Sequence, residues 1–398
     1  MSAPGEDATL DDDVVTEILL RLPCTSVLRS RAVCKGWHRI TIDPSFLAAH
    51  AERRPAELLV VSREPESEWA YQDRLDTIPL SLRADDGPAG CQRELHYPEH
   101  CDVHLLVGCC DGLLLFLLHR FPPGQCCSYF FACNPVTRQG TWLDLMPPAC
   151  RGNLLVLCGF YRHGPSGEHR FLVLANEPQS PKSLMTNMDF FTGSAAHYVF
   201  NFSAATVSSE APRRLGPVPG NVVVDPYGSE NQVPSHLYHR GKLHWTTHPQ
   251  ATSTGKILAF DTLSEEFRLI SCPEWPRGQY SYLHDFCLME LHGRLAITTN
   301  LLCGEFMELW VLEDYDDDRS WSHRFRIQLP PPFCLHWTLG TGIPNVILVG
   351  SYMEKLAAVY HVTEKWSVEK IGFVSSNTSA RQYLFKESLV PHAFFDPY

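Results

Sequence analysis

Past Arg54 the chain keeps one pattern to its last residues: short apolar runs, each cut off by a turn. ELLVVS (Glu57 to Ser62), HLLVGC (His104 to Cys109) and GLLLFLL (Gly112 to Leu118) are early cases, and NLLVLCGF, KILAFDT, RLAITTN and NVILVGS follow. Gly, Pro, Asn and Asp punctuate them, and no helical period intervenes, which defines an all-β region. The runs also form a loose repeated phrase. A glycine opens an apolar strand, a second strand ends in a polar turn, and an aromatic third strand runs to a Leu-Pro-like stop. The phrase is visible in GLLLFLL…FFACNPVTRQGTWLDLMPP and returns in GKLHWTT…KILAFDTLSEEFRLISCPEW. Copies start roughly 50 residues apart, the period of four-stranded propeller blades. Counting a degenerate copy over 152–219 and another before His104, the pattern predicts a β-propeller-like domain of about six blades over residues 55–398. Two packed sandwiches would supply the strands but not the repeated phrase.

A ring of blades must not leave an open strand edge. The expected solution pairs Glu57 to Ser62 with the segment Gln382 to Val390, in which Tyr383, Phe385 and Leu389 fit a two-residue period. The two should be neighbours, or one strand apart, in a single blade.

Residues 9–54 follow a helical pattern, after a polar, acidic tail over residues 1–8. Leu10, Val14, Ile18, Leu19 and Leu22 fall on one helix face, with Thr9 as cap, Asp11 to Asp13 at the positive end of the dipole and Pro23 as stop. Thr25 or Ser26 would cap a second short helix carrying Val27 and Leu28. Val33, Cys34, Trp37 and Ile40 form a third helical set, which Asp43-Pro44 ends. Three short helices make a core near the limit of independent stability, so the module needs a partner over its apolar face.

Composition narrows the function. The net charge of −12 argues against a general nucleic-acid binder, and no window approaches a membrane span. The acidic start does not read as a signal peptide, which places the expected protein in the cytoplasm or nucleus. In a reducing compartment the 15 cysteines, with no CxxC spacing, act as small hydrophobes.

The segment LDDDVVTEILLRLPCTSVLRSRAVCKGWHRITIDPSFLAAH resembles the F-box, with EILLRLP its most diagnostic string; Asp11 stands where the family usually has proline. Cys133 to Arg138 (CNPVTR) and Lys386 to Pro391 (KESLVP) resemble phrases of the plant F-box-associated domain. The resemblance implies a substrate-recognition subunit of a Skp–cullin–F-box ubiquitin ligase. Its helical module would dock on a Skp-type adaptor and through it on a cullin, while the β domain holds an unidentified substrate protein. The adaptor-contact set would be Leu10, Val14, Ile18, Leu19, Leu22, Pro23, Leu28, Val33, Cys34 and Trp37. Five basic and no acidic residues between Arg21 and Arg39 would rim it for an acidic partner. The competing reading is a carbohydrate- or metabolite-binding propeller with an unrelated helical appendage.

No motif points to catalysis, a cofactor or a metal. Ser166 in HGPSGEH lacks the nucleophile-elbow spacing, and Gly340 and Gly342 do not extend to a dinucleotide fingerprint. Asp314, Asp316, Asp317 and Asp318 miss the glycine and glutamate of a calcium loop and read as a hairpin tip. His236, His239, His244 and His248 read as structural histidines.

Overall fold

The computed structural model describes residues 11–65, 71–79, 93–95, 104–120, 127–143, 155–176, 195–202, 212–219, 237–246, 256–274, 286–301, 306–328, 336–340, 345–351, 356–363, 368–375, 382–392 and 395. Four helices come first: α1 (Asp12–Leu19), α2 (Cys24–Ser30), α3 (Lys35–Ile42) and α4 (Pro44–Arg53). The pattern predicted three. Asp43-Pro44 does end α3, but it also starts α4. The Asp43 carboxylate accepts from the backbone N–H of Ser45 (2.9 Å) and Phe46 (3.3 Å), and Pro44 sits where no helical N–H is needed.

Two further expectations are corrected. α2 begins at Cys24 behind Pro23, with no side-chain cap from Thr25 or Ser26. Val33 and Cys34 precede α3 instead of lying in it; Cys34 is extended, and its sulfur caps the helix by accepting from Trp37 N–H. Thr9 and Leu10 lie outside the described residues.

Six four-stranded antiparallel sheets follow among the described residues. Five are built in chain order, from strands within 104–143, 155–214, 237–271, 286–328 and 336–375. They are the second to sixth blades of a β-propeller. First strands adjoin from blade to blade, as His104–Cys110 does with Leu155–Arg162 and Phe286–Leu291 with His336–Gly340, which sets the radial order. Side chains also pin blade to blade: Trp245 Nε1 donates to Cys158 O at 2.9 Å, and Trp321 Nε1 to Ser271 O at 2.7 Å.

The glycine that opens each phrase has a backbone cause. Asp111 and Gly112 both take positive φ (51° and 79°), the two-residue turn whose twist matches the flanking strands. Arg240-Gly241 and His292-Gly293 repeat it.

The first blade is assembled from both ends of the domain. Gln382–Phe385 pairs antiparallel with Glu57–Pro65, with Glu57 opposite Phe385 and Val60 opposite Gln382, and the sheet continues through Tyr71–Pro79 to Arg93–Leu95. The ring therefore closes as expected, although the closing strand stops at Phe385. Where the second, fourth and fifth blades carry a tight turn between their first two strands, this blade is split. α4 enters on one side of the split, and the segment from Lys386 leaves on the other.

Candidate functional site

The helical module is built around Val15, Leu19, Leu20, Cys24, Val27, Phe46 and Leu47. Val15 and Leu19, four apart on α1, face inward. Val14 and Ile18, also four apart, lie on a neighbouring stripe and remain 47% and 42% exposed. The predicted contact set thus splits. Leu19 is fully enclosed and holds the module together. Val14, Ile18, Pro23, Val33 and Cys34 are exposed, and Leu22, Leu28 and Trp37 are half-buried at the core margin. Ile42, which the pattern did not single out, is 47% exposed. Of the seven exposed large hydrophobics among the described residues, four (Val14, Ile18, Val33, Ile42) belong to this short module. That concentration is unusual for so short a stretch of chain.

The basic rim is weaker than its sequence suggests. Arg21 pairs with Glu17 at 3.0 Å, Arg39 with Asp12 at 2.5 Å, and Arg31 donates to the Thr41 carbonyl at 3.1 Å. Arg53 joins Glu17 from α4 and, with Arg21, holds its carboxyl below the usual carboxylate range. Arg29 and Lys35 are exposed, with no ion pair among the described residues.

The module does not stand alone. Leu389 is 2% exposed inside its core, and Val136 and Val390 pack against the same cluster. Lys386 Nζ donates to the Glu52 carbonyl at 2.8 Å. His50 of α4, wholly buried, bonds the Leu22 carbonyl through Nε2 at 2.9 Å, and burial lowers its pKa. Between α4, the turns of the second and third blades and the 386–392 segment lies a cleft of about 880 Å³. Leu47, Ala51, Asp111, Arg162, His169 and His392 are among its lining residues.

Ser166, the buried histidines and the aspartate run serve local contacts. Ser166 Oγ donates to Glu168 at 2.9 Å and touches His163 Nδ1 at 2.8 Å. The hydroxyl stands between imidazole and carboxylate, whereas a hydrolase relay places the imidazole in the middle. His244 bonds Tyr315 OH at 2.7 Å and His239 bonds Glu290 at 2.9 Å, each tying the fourth blade to the fifth. His236, His248 and Gly342 lie outside the described residues. Asp314 to Asp318 lie in the turn before Trp321; Asp316 N–H bonds Asp314, and Asp318 accepts from Ser271 N–H at 2.9 Å.

A four-helix module with exposed apolar side chains is seated at the split blade of a β-propeller. The chain belongs to the F-box associated beta propeller domain family, whose family model matches residues 126–396, and the F-box domain matches residues 9–48. An Arabidopsis thaliana F-box/kelch-repeat protein is 24% identical over 80% of this chain and 76% of its own length. A second Arabidopsis thaliana F-box protein is 25% identical over 79% and 78%, and a third is 24% identical over 91% and 81%. Among solved structures, a periplasmic gluconolactonase of Pseudomonas aeruginosa superimposes with a TM-score of 0.43 at 10% identity, over 83% of this chain and 99% of that one. Nothing about activity follows from so distant a likeness. No helix among the described residues is long and apolar enough to cross a membrane.

Proposed function

We propose that the chain is the substrate-recognition subunit of a Skp–cullin–F-box ubiquitin ligase. The helical module docks on a Skp-type adaptor and through it on a cullin, and the propeller holds a protein target. The chain performs no chemical step itself, and it works in the cytoplasm or nucleus. One observation carries the reading: Val14, Ile18, Val33 and Ile42 stay exposed on a module whose core is already closed. Each such side chain contributes about 1.5–3 kcal/mol when a partner removes it fully from water. Leu10, Leu22, Pro23, Leu28, Cys34 and Trp37 complete the contact set, and Leu19 supports it from behind.

The test is capture of the purified full chain by an immobilised Skp-type adaptor. Ile18→Glu places a charge in an apolar contact and abolishes capture while leaving the melting temperature unchanged. Capture of that variant at wild-type level sinks the proposal.

A further inference from the structure

Three ligand-bearing side chains meet at the seam between the second and third blades. Cys110 ends the first strand of the second blade, Asp111 opens its turn, and His169 begins the second strand of the third blade. One donor atom from each, the Cys110 sulfur, an Asp111 carboxylate oxygen and an His169 ring nitrogen, all lie within 4.8 Å of one another. His169 Nε2 is 3.4 Å from Asp111 Oδ2. A second imidazole, His392, packs edge-on against His169 with ring centroids 5.2 Å apart. Asp111, His169 and His392 all line the 880 Å³ cleft, so water and an ion have a route in.

Thiolate, imidazole and carboxylate are the ligand types zinc accepts, and an open zinc site carries three protein ligands with water in the fourth position. Calcium and magnesium require oxygen donors and do not suit sulfur and nitrogen. We propose that Cys110, Asp111 and His169 hold a zinc-class divalent ion at this seam, with a cleft water or His392 as fourth ligand. One feature opposes it: Arg162 Nη1 lies 3.8 Å from Asp111 Oδ2. Both side chains are substantially exposed, so the pair is screened and weak, and Arg162 keeps a second partner in the Gly167 carbonyl, to which its Nε donates at 3.3 Å. Binding forms a metal–sulfur bond and sends the thiol proton to solvent, about one per ion. The ion would cross-link the two blades and, through His392, the segment that packs the helical module.

The test is titration of the metal-free, reduced full chain with Co²⁺, followed by displacement with Zn²⁺. The expected result is one ion per chain, a thiolate-to-cobalt charge-transfer band that Zn²⁺ bleaches, proton release, and a higher melting temperature. Cys110→Ser removes the band, and His169→Gln weakens binding by more than about tenfold. Cys287→Ser, in the fifth blade, leaves both unchanged. Absence of the band in the wild type, or its survival in Cys110→Ser, overturns the proposal. Where Cys110→Ser fails to fold, anomalous scattering from zinc-soaked wild-type crystals decides. A peak between Cys110 and His169 supports the site, and a peak elsewhere or none rejects it.

Discussion

The side-chain amide of Asn134 donates to the carbonyl oxygen of Ser388 at 3.0 Å. These residues are far apart in the chain, yet each lies in one of the two phrases by which the β domain resembles its family, CNPVTR and KESLVP. Asn134 is 1% exposed, and its Oδ1 accepts from Val136 N–H (3.0 Å) and Thr137 N–H (3.2 Å). The turn it forms carries Val136 to the helical module, while Ser388 leads into Leu389, which enters the module's core. Asn134 therefore aligns the blade turn, the closing segment and the module at one point.

Asn134→Ala removes all three bonds and leaves the buried Ser388 carbonyl without this donor, a loss of about 2–3 kcal/mol. Asn134→Asp keeps the turn acceptor but sets a buried carboxylate oxygen against the Ser388 carbonyl oxygen, so it costs at least as much. Urea unfolding of the two variants beside wild type ranks them, and equal midpoints for all three disprove the role.

Ile18 and Leu19 are adjacent, but their substitutions should differ in kind. Leu19→Ala opens a cavity in a closed core and lowers stability by about 2–5 kcal/mol. Ile18→Ala changes the melting temperature little and weakens adaptor binding. Calorimetry and surface-immobilised adaptor binding, run on both variants, separate the effects.

Leu389 joins the module to the ring. Leu389→Ala should destabilise by about 2–5 kcal/mol. In a double-mutant cycle with Leu19→Ala, the two should couple by about 0.5–3 kcal/mol, because both fill the same cluster. Strict additivity within error shows that Leu389 is not part of that core.

Acid should unfold the chain by way of buried histidines. Burial pulls the pKa of His197 and of His392 down to about 4 and that of His244 to about 3, while each lies near 6.5 in the unfolded chain. Between those values the unfolded state binds more protons, so stability is full above pH ~6.5 and falls as pH drops. Each histidine removes about 1.4 kcal/mol per pH unit until its folded pKa is reached. Denaturation midpoints from pH 7 to 4 give the slope, and His197→Leu should flatten it by one histidine's share.

Much of the fold was legible because it is encoded by near neighbours. Strand alternation, the glycine of a left-handed two-residue turn and the apolar spacing of α1 all act within a few residues. The repeated phrase follows from these local signals, whereas the closing partner of Glu57 follows from the requirement that a ring leave no open strand edge. The ring-closing strand ends at Phe385, short of its two-residue sequence period, because Leu389 is captured by the helical core. Asp43-Pro44 reads as a stop alone in the sequence, whereas the same pair that stops one helix caps the next.

The sequence by itself determined that a small apolar helical module precedes a ring of four-stranded blades, because periodicity and turn chemistry are local. Only the tertiary structure decided which apolar residues face outward: Ile18 and Leu19 point about 100° apart around the helix axis, and spacing alone does not set the rotation that buries Leu19 and exposes Ile18. Packing also decided that Leu389 completes the module, that Glu17 and Asp12 neutralise part of the basic rim, and that Cys110 and Asp111 meet His169. The contacts of Leu389 and of His169 join residues distant in the chain, and they form only when separate elements pack together.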